Sequence, residues 1–162
     1  MRTLATLTLA AMTAACAWKP SPVVMIGPME EISAFTGEWS GEYRTTAADR
    51  FGTIWFKLEA GKDTAFGDVL MIPRETVMNE PSAPEQWRDH PQTLTIKFVR
   101  VRGLQVTGAI DPYTAPHGTD LLFTVFRGEL KGDRVEGEFL ILNDAGTEPQ
   151  QGTWWAKRVK AR

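Results

Sequence analysis

Cysteine is all but absent from this chain: Cys16 is the single one among 162 residues, so no disulfide can form within it. Histidine is nearly as scarce, with two, and neither lies near the lone thiol, so no closed zinc pattern can be written. Neither sign of charge prevails. The 18 Lys and Arg stand against 20 Asp and Glu for a net charge of −2, and no basic cluster supplies the footprint that nucleic acid requires. Long apolar runs are missing as well: the uncharged stretch at 4–15 falls well short of the roughly 20 residues of a spanning helix. No Gly-x-Ser-x-Gly elbow, phosphate loop or His-Glu-x-x-His occurs, so the sequence offers no positive sign of catalysis and implies no cofactor or metal. What is present is an ordinary globular composition, 43% hydrophobic and 23% charged, at a length that suits one domain.

The first residues read as an export signal: one positive charge at Arg2, then a mostly apolar segment closed by small residues. Its end, Met12-Thr13-Ala14-Ala15-Cys16, resembles the lipobox of bacterial lipoproteins, with Thr13 where that family usually has an aliphatic residue. The resemblance implies that Cys16 is lipidated and becomes the mature N-terminus, and several acyl chains make anchoring stable where one is marginal. A conventional cleavage among residues 11–17, leaving Cys16 idle or lost, is the alternative. Ala17 stands where an Asp commonly retains such proteins in the inner membrane, so in a Gram-negative cell the resemblance implies the outer membrane, facing the periplasm. Pro20, Pro22 and Pro28 then favour an extended tether or a segment lying along the body, and residues 30–34 can form one helical turn.

From Phe35 onward, period-two alternation in short segments broken by Gly, Asp, Asn and Pro marks antiparallel strands. Eight are expected, at 36–45, 50–59, 66–72, 93–101, 104–110, 119–128, 134–142 and 150–159. Turn residues at 60–63, 102–103 and 130–133 suit hairpins between sequential neighbours, which gives an up-and-down meander. Closing it into an eight-stranded barrel hides its edges, and a barrel of that size holds side chains or one small ligand. The connection at 73–92 is the long exception, either a lid or a plain insertion. The expected division is a signal peptide at 1–15, a lipidated N-terminus and tether at 16–34, and a barrel domain at 35–162.

Gly37-Glu38-Trp39-Ser40-Gly41-Glu42-Tyr43 and Gly152-Thr153-Trp154-Trp155-Ala156-Lys157-Arg158 together resemble the first and last strands of the calycin barrels, the lipocalins, avidins and their bacterial relatives. The segment 128–137 resembles their penultimate hairpin. The resemblance implies that Arg158 packs over Trp39 and shuts one end of an all-β, calycin-like barrel. Some calycins bind haem through a late histidine; no His follows His117 here, so haem does not carry over.

One phase of the alternation places Trp39, Gly41 and Tyr43, then Ile54, Phe56 and Leu58, then Leu94, Ile96, Phe98 and Arg100, then Leu121, Phe123, Val125 and Arg127 inside. From these come the candidate ligand-binding residues Tyr43, Phe56, Arg100, Phe123 and Arg127, with both Arg side chains meeting an anionic group if they converge and standing at the rim if they do not. Asp111, His117 and Asp120 in one loop, and Asp89-His90 in another, permit a metal site without requiring one. Trp55 and Trp155 fall on the opposite phase, outside, where they suit a protein partner or lie under the tether. The expected function is that of a lipid-anchored envelope protein, a non-enzymatic binder of a small apolar or amphipathic molecule. The alternative is an envelope protein-interaction module, an assembly factor or inhibitor, with a side-chain-filled barrel.

Overall fold

The computed structural model describes residues 20–46, 51–72, 92–115, 119–146 and 148–160. The export signal, Cys16 and the connection at 73–91 lie outside the described residues. Nine strands form a closed barrel: β1 (Pro22–Ile26), β2 (Gly37–Thr45), β3 (Phe51–Leu58), β4 (Thr64–Ile72), β5 (Gln92–Arg102), β6 (Gln105–Thr114), β7 (Leu121–Lys131), β8 (Arg134–Asn143) and β9 (Gln150–Arg158). A short helix α1 (Met29–Ile32) and a 3-10 turn (Ser33–Phe35) join β1 to β2. The eight strands β2 to β9 are the expected antiparallel meander, each paired to its neighbour in sequence, with β9 returning to β2.

The ninth strand corrects the expectation. The segment read as a tether is β1, which lies antiparallel to β4 through Pro22↔Phe66 and Val24↔Thr64, and parallel to β5 through Val24↔Phe98 and Ile26↔Arg100. A β-bulge opens the place for it. β5 carries an extra residue between Ile96 and Phe98, whose partners on β6 are the adjacent Ile110 and Ala109. Up to Thr95, β5 pairs directly with β4; from Phe98 onward it pairs with β1 instead. The barrel therefore closes with eight strands at one end and nine at the other. Val23 and Met25 are buried in the common core, so a domain boundary at Phe35 leaves out one of the barrel's own strands.

Short hairpins at 59–63, 103–104 and 132–133 gather at the nine-stranded end, with Gly61, Gly103 and Gly132 at positive φ where an L residue is strained. At the same end α1 and the turn after it lay Ile32 and Phe35, both 1% exposed, across the opening. β2, β4, β6 and β8 end, and β3, β5, β7 and β9 begin, at the other end.

The interior is organised by glycine facing an aromatic ring across neighbouring strands. Tyr43 pairs with Gly52, Phe56 with Gly67, Phe126 with Gly108 and Phe139 with Gly152. A Cβ at any of these glycines would strike the facing aromatic side chain. The rings of Tyr43, Phe126 and Phe139 thus lie over glycine backbone rather than projecting straight to the barrel axis, which leaves space at the centre.

Candidate functional site

At the nine-stranded end Trp39 is fully buried, stacks on Phe56 at 5.6 Å and donates from Nε1 to the Phe35 carbonyl at 2.8 Å. The Arg158 guanidinium lies 4.2 Å from the Trp39 ring centroid, donates from Nη2 to the Ala34 carbonyl at 2.9 Å and from Nη1 to the Thr36 carbonyl, and meets Asp133 Oδ1 from Nε at 3.2 Å. One side chain thus ties the last strand to the turn that covers the opening, because its planar fork can reach two carbonyls while its face covers the indole.

Behind this plug is an apolar cavity of about 100 Å³. Phe56, Leu94's neighbour Ile96, Val99, Phe126, Phe139 and Trp154 are among the side chains around it. Tyr43, Thr45, Tyr113 and Thr124 are the hydroxyl-bearing residues around it, and its wall is almost wholly apolar. Tyr113 and Thr124 pair with each other at 3.2 Å. Thr45 ends β2 and Tyr113 lies one residue from the end of β6, so two of these hydroxyl-bearing residues stand toward the end opposite the short hairpins. The arrangement offers an apolar chamber with hydroxyl-bearing residues toward one end, and among the described residues no charged side chain lines it.

Tyr43 and Phe56 do line the cavity, whereas Arg100, Phe123 and Arg127 do not. The β5 bulge inverts the alternation, so Val99 and Val101 turn inward while Phe98 and Arg100 turn outward. On β7 the inward residues are Leu122, Thr124, Phe126 and Leu130, one step out of phase with the expectation. Phe123 is 39% exposed, and Arg127 forms an ion pair with Glu138 at 2.7 Å on the outer surface. Arg100 and Arg127 do share one rung of the ladder, on either side of Thr107, but outside the barrel. A carboxylate held by these two inside the barrel is excluded.

The hydroxyl pair of Tyr113 and Thr124 was not expected as a site. Asp111-Pro112 looked like the end of a strand, yet a second irregularity, between Ile110 and Tyr113, absorbs the proline and lets β6 continue to Thr114. The signal available was Thr124 itself, a polar residue within the otherwise apolar run from Leu121 to Phe126.

The outer tryptophans flank β2: Trp55 faces Ser40 and Trp155 faces Glu42. Trp55 donates to Glu38 Oε1 at 2.9 Å, and Arg134 and Lys157 lie 4.7 Å and 6.0 Å from the Trp155 ring. β1 does not cover them, since it runs between β4 and β5. Of the imagined metal ligands, His117, Asp89 and His90 lie outside the described residues, and no group of three metal-ligating side chains occurs among the described residues.

Where β4 and β5 part, Asp68 is 4% exposed although it belongs to the outward phase of β4. Burial pushes its carboxyl above the usual range, partly offset by the Ser21 N–H and hydroxyl, and neither oxygen completes a hydrogen bond of normal geometry. Ser21 arrives there because its carbonyl accepts from Gly67 N at 3.1 Å as the chain enters β1.

No protein-family model matches the chain, and no curated protein matches its sequence.

Proposed function

We propose that this protein is a lipid-anchored, calycin-like envelope binder of a small apolar molecule, without catalytic activity. The observation that carries the reading is the cavity: a chamber of about 100 Å³ lined almost wholly by aliphatic and aromatic groups. Apolar cavities of this order stay dry and take up ligands the size of benzene, whereas drug-sized ligands need roughly 300 Å³ or more. The occupant is therefore a compact apolar group, or the apolar end of an amphipath whose polar part lies toward Thr45 and Tyr113. With Arg100 and Arg127 outside, a neutral head suits the site better than a carboxylate. A side-chain-filled interaction module gains no support from an unfilled interior.

The calycin reading is supported by the turn before the first meander strand, the buried Trp39 and the Arg158 that covers it, all at the end with the short hairpins. In this reading Cys16 carries the lipid, and the barrel faces the periplasm from the outer membrane if the organism is Gram-negative. Native mass spectrometry of the exported chain carrying Cys16→Ala, compared with its denatured mass, tests the cargo. An extra mass released on denaturation supports the binder. A bare mass that persists after incubation with small aromatics, aliphatic alcohols and envelope lipid extract overturns it.

A further inference from the structure

The outside of the barrel changes character around its girth. On β2 and β9 the outward residues Glu38, Ser40, Glu42, Thr153 and Lys157 are polar and exposed, and the half-buried Trp155 among them lies under Arg134 and Lys157. Across the barrel, a single rung of the ladder runs Val24, Phe98, Ala109, Val125 and Leu140 over five adjacent strands, β1, β5, β6, β7 and β8. The outward positions beyond it on β7 and β8 add the facing pair Phe123 and Leu142. Val24, Val125, Phe123 and Leu142 are 54%, 45%, 39% and 39% exposed. Single exposed apolar residues are ordinary on a soluble protein, but a contiguous belt crossing five strands marks a contact surface.

The next outward rung toward the closed end reads Ile26, Arg100, Thr107, Arg127 and Glu138, with both arginines exposed. Two guanidinium groups therefore border the apolar belt at a distance of about 7 Å along the strands, two residues at 3.3 Å each. With the barrel lying on this side, the belt and the neighbouring rung meet the membrane side by side, the apolar side chains sinking into the interface and the long arginine side chains holding their guanidinium groups at the level of the phosphates. Arginine suits that level because its fork meets phosphate oxygens in pairs.

We propose that this belt seats the barrel on a lipid bilayer, with Val24, Phe123 and Val125 entering the interface and Arg100 meeting lipid phosphates, while Arg127 beside it is held by Glu138 at 2.7 Å. One supporting argument rests on the lipid anchor proposed above. Val24 brings β1 into the belt, and the six residues from Cys16 to Pro22 reach at most about 20 Å when extended. An acylated Cys16 then holds the β1 side against the membrane and leaves the polar face of β2 and β9 turned away.

The test uses the full exported chain with Cys16→Ala, so that no acyl chain contributes, and vesicles of phosphatidylethanolamine and phosphatidylglycerol. The protein is expected to co-sediment. Val125→Glu and Phe123→Ser each lower its bound-to-free ratio about tenfold. Arg100→Gln weakens binding to these vesicles but not to purely zwitterionic ones, and Ser40→Glu on the far side changes nothing. The proposal is overturned if the folded Cys16→Ala protein stays in the supernatant, or if Val125→Glu sediments as well as its parent. It is equally overturned if the substitution converts a dimer to a monomer without altering vesicle binding, which would make the belt a contact between two copies. Labelling of the unsubstituted chain with palmitate reports separately on the anchor: failure to label removes the anchor, while the vesicle result still decides the belt.

Discussion

Replacing Arg158 by Ala is the sharpest test of how the barrel is shut. The guanidinium covers the fully buried Trp39 ring at 4.2 Å and supplies donors to the Ala34 and Thr36 carbonyls. A partly desolvated cation over an indole contributes about 1–2 kcal/mol, and hydrogen bonds from a charged donor about 1.5 kcal/mol each at the lower end of their range. The contact with Asp133, itself 76% exposed, adds little. Some of the loss is recovered when water reaches the freed carbonyls, so the expected cost is about 3 kcal/mol. In a domain of this size that corresponds to a fall in Tm of about 10 °C. Arg158→Lys keeps the charge and the apolar stem but cannot bridge both carbonyls, and it should lose about half as much. Urea unfolding of the two variants with Trp39→Phe as the second arm of a double-mutant cycle measures the coupling, expected at about 1 kcal/mol. If Arg158→Ala unfolds within about 0.5 kcal/mol of the parent, the residue is surface decoration and the closure argument fails.

Asp68→Asn should stabilise the protein by about 1 kcal/mol near neutral pH, because burial disfavours the charged carboxylate. The sign follows from the raised pKa: the folded state holds the proton more tightly than the unfolded state. Parent stability therefore falls as pH rises from the ordinary value of 3.8 through the raised one, and urea midpoints of the Asn variant should lack that decline. Gly152→Ala puts a Cβ into the Phe139 ring and the Arg44 carbonyl, and should cost about 1–3 kcal/mol by the same assay. Phe126→Ala removes a ring from the cavity wall, costing about 3–5 kcal/mol, and should shift binding toward larger apolar probes in a fluorescent displacement titration.

Much of the barrel was legible because the meander writes itself in local signals. The strand sequences from β2 to β9 alternate, and Gly103 and Gly132 punctuate the tightest hairpins where positive φ is needed. The tether was not legible as a strand. Pro22 and Pro28 argue against a central strand, and only the tertiary fork between β4 and β5 gives Val23 and Met25 a core to enter. The candidate site failed at three residues, Arg100, Phe123 and Arg127, on two strands. Lys97 looks like any outward position, so the bulge it forms with Phe98 could not be seen, and everything after it on β5 was assigned to the wrong face. On β7 the failure has a different cause. Leu121-Leu122-Phe123-Thr124-Val125-Phe126 is apolar on both faces, and the inner face carries the polar Thr124, so period two favoured the outer set.

That second failure points to the same physical feature as the membrane proposal. An ordinary antiparallel barrel keeps polar residues outside, and alternation then identifies its interior. Here the outer row of β7 is apolar from Leu121 to Val125, where it is part of a belt that continues through Leu140, Ala109 and Phe98 to Val24. Inside, by contrast, the chain uses small and hydroxylated residues, Gly108, Thr124 and Gly128, where a packed core would use large aliphatic ones. Both departures follow from a barrel that keeps space within and meets an apolar surface without. The glycines opposite Tyr43, Phe126 and Phe139 give their place to those rings, which lie along the wall and leave the centre open. Their placement directly across from rings makes the cavity a consequence of cross-strand pairing rather than of barrel width, so its size should respond to those pairs one at a time.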